Sequence, residues 1–146
     1  MPGKGDTNIQ ASTHDMFYFA LVCPPEVEAT ILPLKIWVRD HHGSRTALKS
    51  PSHITLVPPF WWPLEKLETM AQHARSFRYD IPGLDIRLNG FGHFGKRVVY
   101  LRVEENRALA ALRTDFVRHM KPLLGSLVKE DSHVFTPHVT IATRDL

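Results

Sequence analysis

The sequence predicts an α+β fold in which two similar strand–helix–strand units face each other across an open groove. Short runs of aromatic and β-branched residues alternate with longer runs of helical periodicity, which is typical of a mixed fold. A strand-like run opens each unit, at residues 16–22 and 97–103, and a helical pattern follows it. Each unit then ends in a strand that contains a His-x-Thr motif, at His53 and at His138. This repeated order predicts a pseudo-two-fold arrangement.

Length and composition are those of one globular domain. The chain has 146 residues, of which 43% are hydrophobic and 23% charged, so we expect a single domain, residues 16–146, made of two related lobes. Residues 1–15 are polar, lack the apolar stretch of a signal peptide, and predict a flexible tail. No apolar run reaches the roughly 18 residues of a membrane span. The single cysteine, Cys23, excludes an intrachain disulfide and favours the cytoplasm.

The first unit begins with a buried strand at residues 16–22. Pro25 suits the opening of a helix, and the apolar spacing after it is helical, but the interior Pro33 predicts a kink or a break. The first His-x-Thr strand then covers residues 52–57.

An aromatic segment, residues 58–63, follows the first motif, and its prolines predict an extended loop. Its three consecutive aromatic residues either plug the core or form the wall of a site, because nucleic-acid bases stack on aromatic faces. Phe60 is therefore a candidate substrate-binding residue. A clear amphipathic helix follows at residues 64–77.

The second unit is preceded by an alternating strand at residues 84–88 and a glycine-bearing turn at residues 91–96. The strand at residues 97–103 completes a hairpin. Asn106 suits the N-cap of a second strong amphipathic helix. The last strand, residues 135–142, carries the second His-x-Thr motif.

Each motif places an imidazole and a hydroxyl on the same face of its strand. Successive side chains of a strand point to opposite faces, so His53 lies beside Thr55 and His138 beside Thr140, about 7 Å apart along the strand. The apolar residues between them anchor each strand to a core.

Two imidazoles and two hydroxyls around one groove suit phosphoester chemistry. One imidazole takes a proton from water or a hydroxyl, the second gives a proton to the leaving oxygen, and the hydroxyls bind the non-bridging oxygens. The sequence has no carboxylate cluster and no metal-ligand spacing, so we expect no metal and no other cofactor. It also has no glycine-rich phosphate loop, which disfavours NTP hydrolysis. The net charge of +3 suits an anionic ligand.

The paired motifs resemble those of the two-histidine (2H) phosphoesterase superfamily, which includes 2′-5′ RNA ligase-like proteins and cyclic phosphodiesterases. The two histidines are some 85 residues apart, and the resemblance runs from about residue 16 to the C-terminus. The matching runs are Phe17-Tyr18-Phe19-Ala20-Leu21, His53-Ile54-Thr55-Leu56 followed by Pro58-Pro59-Phe60, and Phe135-Thr136-Pro137-His138-Val139-Thr140-Ile141-Ala142.

This resemblance implies a bilobal fold in which antiparallel sheets line a central groove and helices lie outside. It implies hydrolysis, or reversible formation, of a 2′,3′-cyclic phosphate or a 2′-5′ linkage on an RNA end or a nucleotide. His53 and His138 would be the acid–base pair, and Thr55 and Thr140 the phosphate clamps. Which histidine is the acid stays open.

Three further residues are candidate substrate contacts: Phe60, Lys96 at the hairpin turn, and Phe135 before the second motif. Many relatives have an arginine five residues after the second histidine, where this chain has Thr143, followed by Arg144. The aromatic segment and the basic residues near the hairpin also suit an alternative, an RNA- or nucleotide-binding module with little catalysis. We expect a monomer without a membrane partner.

Overall fold

The computed structural model describes residues 13–128 and 135–145, which form an α+β fold, as predicted. Its helices and strands are β1 (His14–Val22), α1 (Pro25–His42), β2 (His53–Pro63), α2 (Leu67–Arg75), β3 (Leu88–Phe94), β4 (Val98–Val103), α3 (Arg107–Leu124) and β5 (His138–Thr143). Short 3₁₀ turns occur at Thr46–Lys49, Leu64–Lys66 and Gly125–Leu127. None of the described helices is long and apolar enough to cross a membrane.

The five strands form one antiparallel sheet in the order β1-β2-β5-β4-β3. The two motif strands, β2 and β5, are therefore neighbours in its middle. A single bridge, between Ile54 and Val139, joins the β1–β2 pair to the other three strands. The antiparallel sheets of the two lobes, which were expected to line a groove, are thus joined into one sheet by this bridge.

The described helices pack on the face of this sheet opposite to the motif histidines and threonines. Ile54 and Val139, between the motif residues, pack with Ile31 of α1 and Leu109 of α3 in one buried cluster. A second cluster joins the rest of α3 to β2 through residues such as Phe116. Because side chains alternate along a strand, burying this face turns the histidines and threonines of the motifs outwards.

Helix α1 runs unbroken through Pro33, contrary to the predicted kink or break. Pro33 itself is exposed, while Ile31, Lys35 and Val38 are buried on the other side of the helix. The proline removes only one backbone hydrogen bond on the solvent side, and tertiary packing holds the buried side in place. The helix ends at Gly43, whose φ of 74° is the left-handed conformation of a C-cap.

Strand β2 is longer than predicted, because residues 58–63 extend it instead of forming a loop. The extension pairs with the start of β1, which begins at His14, two residues before the predicted start. Pro58 and Pro59 fall where the β1–β2 register shifts, and prolines within a sheet are tolerated at such irregularities. Residues 84–87, predicted as a strand, precede β3 without belonging to it.

Candidate active site

The pairing of β2 with β5 sets the two motifs directly against each other. Ile54 pairs with Val139 in an antiparallel register, which places His53 opposite Thr140 and Thr55 opposite His138. Opposed residues point to the same face, so the four side chains form the corners of one quadrilateral. The histidines occupy diagonal corners, which in an antiparallel pair are about 7–8 Å apart.

Each histidine ring is oriented by a hydrogen bond to the backbone just before its own strand. The Nδ1 atom of His53 lies 2.7 Å from the carbonyl oxygen of Pro51, and Nδ1 of His138 lies 2.8 Å from that of Thr136. A carbonyl oxygen only accepts, so each Nδ1 carries the proton and donates it. In the neutral ring this leaves the lone pair on Nε2, ready to accept a proton. Both motifs use the carbonyl two residues upstream, so the pseudo-symmetry extends to the hydrogen bonds.

Aromatic rings pack against both imidazoles. The ring centroid of Tyr18 lies 5.2 Å from that of His53. Phe94 meets His138 edge-on at 4.9 Å, and Tyr100 lies 5.0 Å from the same imidazole. A Cβ atom at Gly92 would come within 2.6 Å of the Tyr100 ring. Glycine at this position therefore allows Tyr100 to lie where it supports His138.

A cavity of about 310 Å³ opens beside the first motif. Its lining includes three of the four motif side chains, those of His53, Thr55 and Thr140; His138 stands opposite Thr55 in register, outside the lining. The remaining lining residues are Tyr18, Lys35, Thr46, Ala47, Lys49, Ser50, Pro59, Thr143 and Arg144. Larger cavities of about 580 and 420 Å³ are mostly apolar, and the motif histidines and threonines do not line them. We place the site at the smaller cavity because three of the four motif side chains, those of His53, Thr55 and Thr140, line it.

One lining residue, Lys35, is a nearly buried cation. Lys35 is only 2% exposed, and its Nζ donates to the carbonyl oxygen of Ser50 at 3.3 Å. Burial lowers the pKa of the Lys35 ammonium group, and the nearby carboxylate of Glu28 opposes that shift. No sequence pattern pointed to this residue, because a lysine within a helical pattern ordinarily lies on the solvated face.

Arg144 reaches the cavity through a tight turn after β5. Its φ of 65° is unusual for a residue other than glycine, and the Asp145 N–H donates to the carbonyl oxygen of Thr143 at 2.7 Å. A three-residue turn closed by such a hydrogen bond, with a positive φ at its central residue, is the rare and strained form of the γ-turn. The turn brings Arg144 into the lining although it stands one position beyond the arginine of many relatives.

The same turn directs the Asp145 carboxylate back to the start of the 3₁₀ turn Thr46–Lys49. It accepts hydrogen bonds from the Ser44 hydroxyl and from the N–H groups of Arg45, at 2.8 Å, and Thr46, at 3.2 Å. We call this arrangement the Asp145 clasp. Its hydrogen bonds, that of Ser44 foremost, lower the pKa of Asp145 to about 2. The clasp fixes the segment that forms one wall of the cavity.

Three candidate contacts from the sequence lie away from the motif side chains. Phe60 is 5% exposed and stacks on Phe19 within the core. Phe135 packs against the buried cluster around Ile54, with the Arg113 guanidinium 5.0 Å above its ring. Lys96 borders a separate depression at the β3–β4 turn. Phe60 is on the core side: it pairs with Phe17 of β1 and belongs to the buried cluster around Phe116.

The register of β4 against β5 adds two residues that the motif pattern missed. Tyr100 pairs with Thr140 and Arg102 with His138, so both lie on the motif face. Arg102 is exposed, and its Nη2 donates to the carbonyl oxygen of Phe91 at 3.4 Å. Alternation along β4 would have identified both, had the pairing partner of that strand been known from the sequence.

A protein metal site ordinarily needs at least three ligand side chains grouped together. Within residues 13–128 and 135–145, no three side chains of His, Cys, Asp or Glu are grouped so that they could hold a metal ion.

Two curated proteins are similar to part of this chain. "Putative phosphoesterase Bcer98_0945" of Bacillus cytotoxicus is 31% identical over 96 residues, which is 64% of this chain and 52% of that protein. "Putative phosphoesterase BLi01284/BL02661" of Bacillus licheniformis is 26% identical over 96 residues, 64% of this chain and 53% of that protein. The chain thus spans about half the length of these curated relatives.

A solved structure and a family model cover more of the chain. The crystal structure of TT0787 of Thermus thermophilus superposes with a TM-score of 0.63 at 28% identity, covering 90% of this chain and 74% of that one. The family model described as "2'-5' RNA ligase superfamily" matches residues 23–146. The resemblance to 2H phosphoesterases that the two motifs indicated is thereby confirmed, and the chain belongs to the 2′-5′ RNA ligase superfamily.

Proposed function

We propose that this protein is a metal-independent phosphoesterase that hydrolyses, or reversibly forms, a phosphodiester such as a 2′,3′-cyclic phosphate or a 2′-5′ linkage on an RNA end or a nucleotide. The observation that carries the proposal is the antiparallel register of the motifs, with His53 opposite Thr140 and Thr55 opposite His138. Membership of the 2′-5′ RNA ligase superfamily supports phosphodiester chemistry.

The two histidines divide the proton transfers between them. One imidazole, neutral with its lone pair on Nε2, takes a proton from the attacking water as the water oxygen bonds to phosphorus. The other, protonated at Nε2, gives its proton to the ribose oxygen as the bond from that oxygen to phosphorus breaks. Attacking and leaving oxygens lie roughly in line across the phosphorus, and the diagonal placement of His53 and His138 supplies one imidazole on each side.

The two threonines occupy the other diagonal. The hydroxyls of Thr55 and Thr140 donate hydrogen bonds to the non-bridging oxygens, whose negative charge must be stabilised during the displacement. The same groups serve the reverse reaction, in which a ribose hydroxyl takes the place of water.

Hydrolysis of a nucleoside 2′,3′-cyclic phosphate in the presence of EDTA tests the proposal. We expect turnover by the wild type and a fall of roughly 10²–10⁴-fold in His53→Ala and in His138→Ala, with an unchanged thermal midpoint. His93→Ala is the matched control. The His93 ring makes a similar hydrogen bond, to the carbonyl oxygen of Gly95 at 2.9 Å, but lies outside the cavity lining, so this variant should keep full activity.

Full activity in either motif variant would refute the proposed mechanism. Loss of wild-type turnover in EDTA would refute metal independence. Binding of nucleotides without turnover of any phosphodiester would instead favour the alternative of a nucleotide-binding module.

A further inference from the structure

The cavity beside the first motif carries more positive charge than one phosphodiester requires. In the part of the chain that the structure describes, its lining includes Lys35, Lys49 and Arg144 but no aspartate or glutamate. A phosphodiester between the motifs has one negative charge. The surplus cations all lie on the side of the groove formed by α1, the 3₁₀ turn Thr46–Lys49 and the turn after β5.

The nearby carboxylates leave two of these cations, Lys49 and Arg144, without a direct ion pair. Among the described residues, no carboxylate forms an ion pair with Lys49 or Arg144. The adjacent Asp145 has its carboxylate engaged in the clasp. Glu28, which acts on Lys35, already accepts the backbone N–H of Ser52 at 3.0 Å. The Lys49 ammonium and the Arg144 guanidinium are therefore available to contact a ligand, while the negative charges of Asp145 and Glu28 offset part of the local positive charge.

The backbone segments that carry these cations are held in place, although the side chains of Lys49 and Arg144 are exposed. Lys35 is 98% buried, since its exposure is 2%, and uses one of its three N–H donors on Ser50. The Asp145 clasp ties the 3₁₀ turn that carries Lys49 to the γ-turn that carries Arg144. The hydroxyl-bearing Thr46 and Ser50 line the same wall. Ammonium and guanidinium groups with nearby hydroxyls are donors suited to phosphate oxygens.

We infer that this end of the groove is a second phosphate subsite, which holds a phosphate monoester carried by the same nucleotide whose phosphodiester lies between His53 and His138. The inference rests on the proposed function and narrows its substrate class. The preferred substrate is then a nucleotide or RNA end with a second phosphate close to the reacting one, and an unphosphorylated nucleoside cyclic phosphate is a poorer substrate.

Equilibrium binding of two product analogues tests this subsite without requiring turnover. The probes are adenosine 2′-phosphate and adenosine 2′,5′-bisphosphate, measured by calorimetry. We expect the wild type to bind the bisphosphate roughly tenfold or more tightly, as one charged hydrogen-bonding contact allows. In Lys49→Gln and in Arg144→Gln this preference should shrink to about twofold. Lys66→Gln, an exposed lysine beyond the other end of β2, should retain it.

Equal affinity for the two probes in the wild type would overturn the subsite, as would a preference that survives in both Lys49→Gln and Arg144→Gln. Failure to bind either probe would also overturn it. Turnover of a cyclic phosphate with no preference between the probes would leave the proposed function standing and remove only the subsite. A Lys49-dependent preference without turnover would support the subsite and count against the catalytic proposal.

Discussion

Each motif threonine stands opposite a motif histidine in the register of β2 and β5. If Thr55 and Thr140 bind the non-bridging oxygens, then Thr55→Val or Thr140→Val removes one donor while keeping the shape of the side chain. We expect kcat to fall by about 10²–10³-fold, because the lost bond is strongest when charge develops on those oxygens. Steady-state kinetics check this, with Thr114→Val, an exposed position on α3, as the control. Wild-type kcat in both motif variants would contradict the clamp.

Gly92 positions His138 indirectly, through the Tyr100 ring. An added Cβ would lie within 2.6 Å of that ring, so Gly92→Ala must displace Tyr100, which packs against both Phe94 and His138. We expect kcat/KM to fall by up to roughly 10²-fold, since small misplacements of a catalytic group are costly. The effect should vanish in a Tyr100→Leu background, where the obstructed ring is gone. An equal loss in both backgrounds would show that Gly92 acts by another route.

The motif residues could be identified from the sequence because alternation along a strand depends only on local spacing. His53 with Thr55, and His138 with Thr140, share a face whatever the strands pair with. The partners of the histidines could not be found in this way. Arg102 becomes a neighbour of His138 only through the β4–β5 register, and Lys35 reaches the cavity from a different element.

The turn after β5 and the 3₁₀ turn Thr46–Lys49 act as one element because the Asp145 clasp joins them. The ionised carboxylate stabilises the folded state, since its pKa is lowered from 3.8 to about 2. That stabilisation is fully present above the ordinary pKa and is lost as the pH falls through about 2. We expect the thermal midpoint of the wild type to exceed that of Asp145→Asn above pH 4, with the difference closing towards pH 2. A difference that does not change with pH would argue against this role of the carboxylate.

Prolines show why the bounds of elements were harder to predict than their existence. Pro33 predicts an interruption of α1, but its solvent-facing position lets packing on the other side preserve the helix. Pro58 and Pro59 predict a loop, but a register shift against β1 accommodates them within β2. In both cases the outcome depends on which side of the helix or strand packs against the core. The neighbouring helices and strands determine that side.

Each half of the molecule contributes one motif strand to the middle of the sheet. The repeated strand–helix–strand order predicted the α+β class and the approach of the two motifs. It did not predict that the halves join through one bridge at the middle residues of the motifs, Ile54 and Val139. The two residues of that bridge are 85 positions apart in the sequence. No local sequence pattern therefore specifies it. It sets the diagonal arrangement of the histidines on which the proposed mechanism depends.

The pH dependence of kcat/KM for cyclic phosphate hydrolysis tests that mechanism most directly. Because one histidine must be unprotonated and the other protonated, we expect a bell-shaped profile in the wild type, with EDTA present. His53→Ala and His138→Ala should each lose one limb, and the two variants should lose opposite limbs, which also identifies the acid and the base. A flat wild-type profile, or variants that keep both limbs, would contradict acid–base catalysis by this pair.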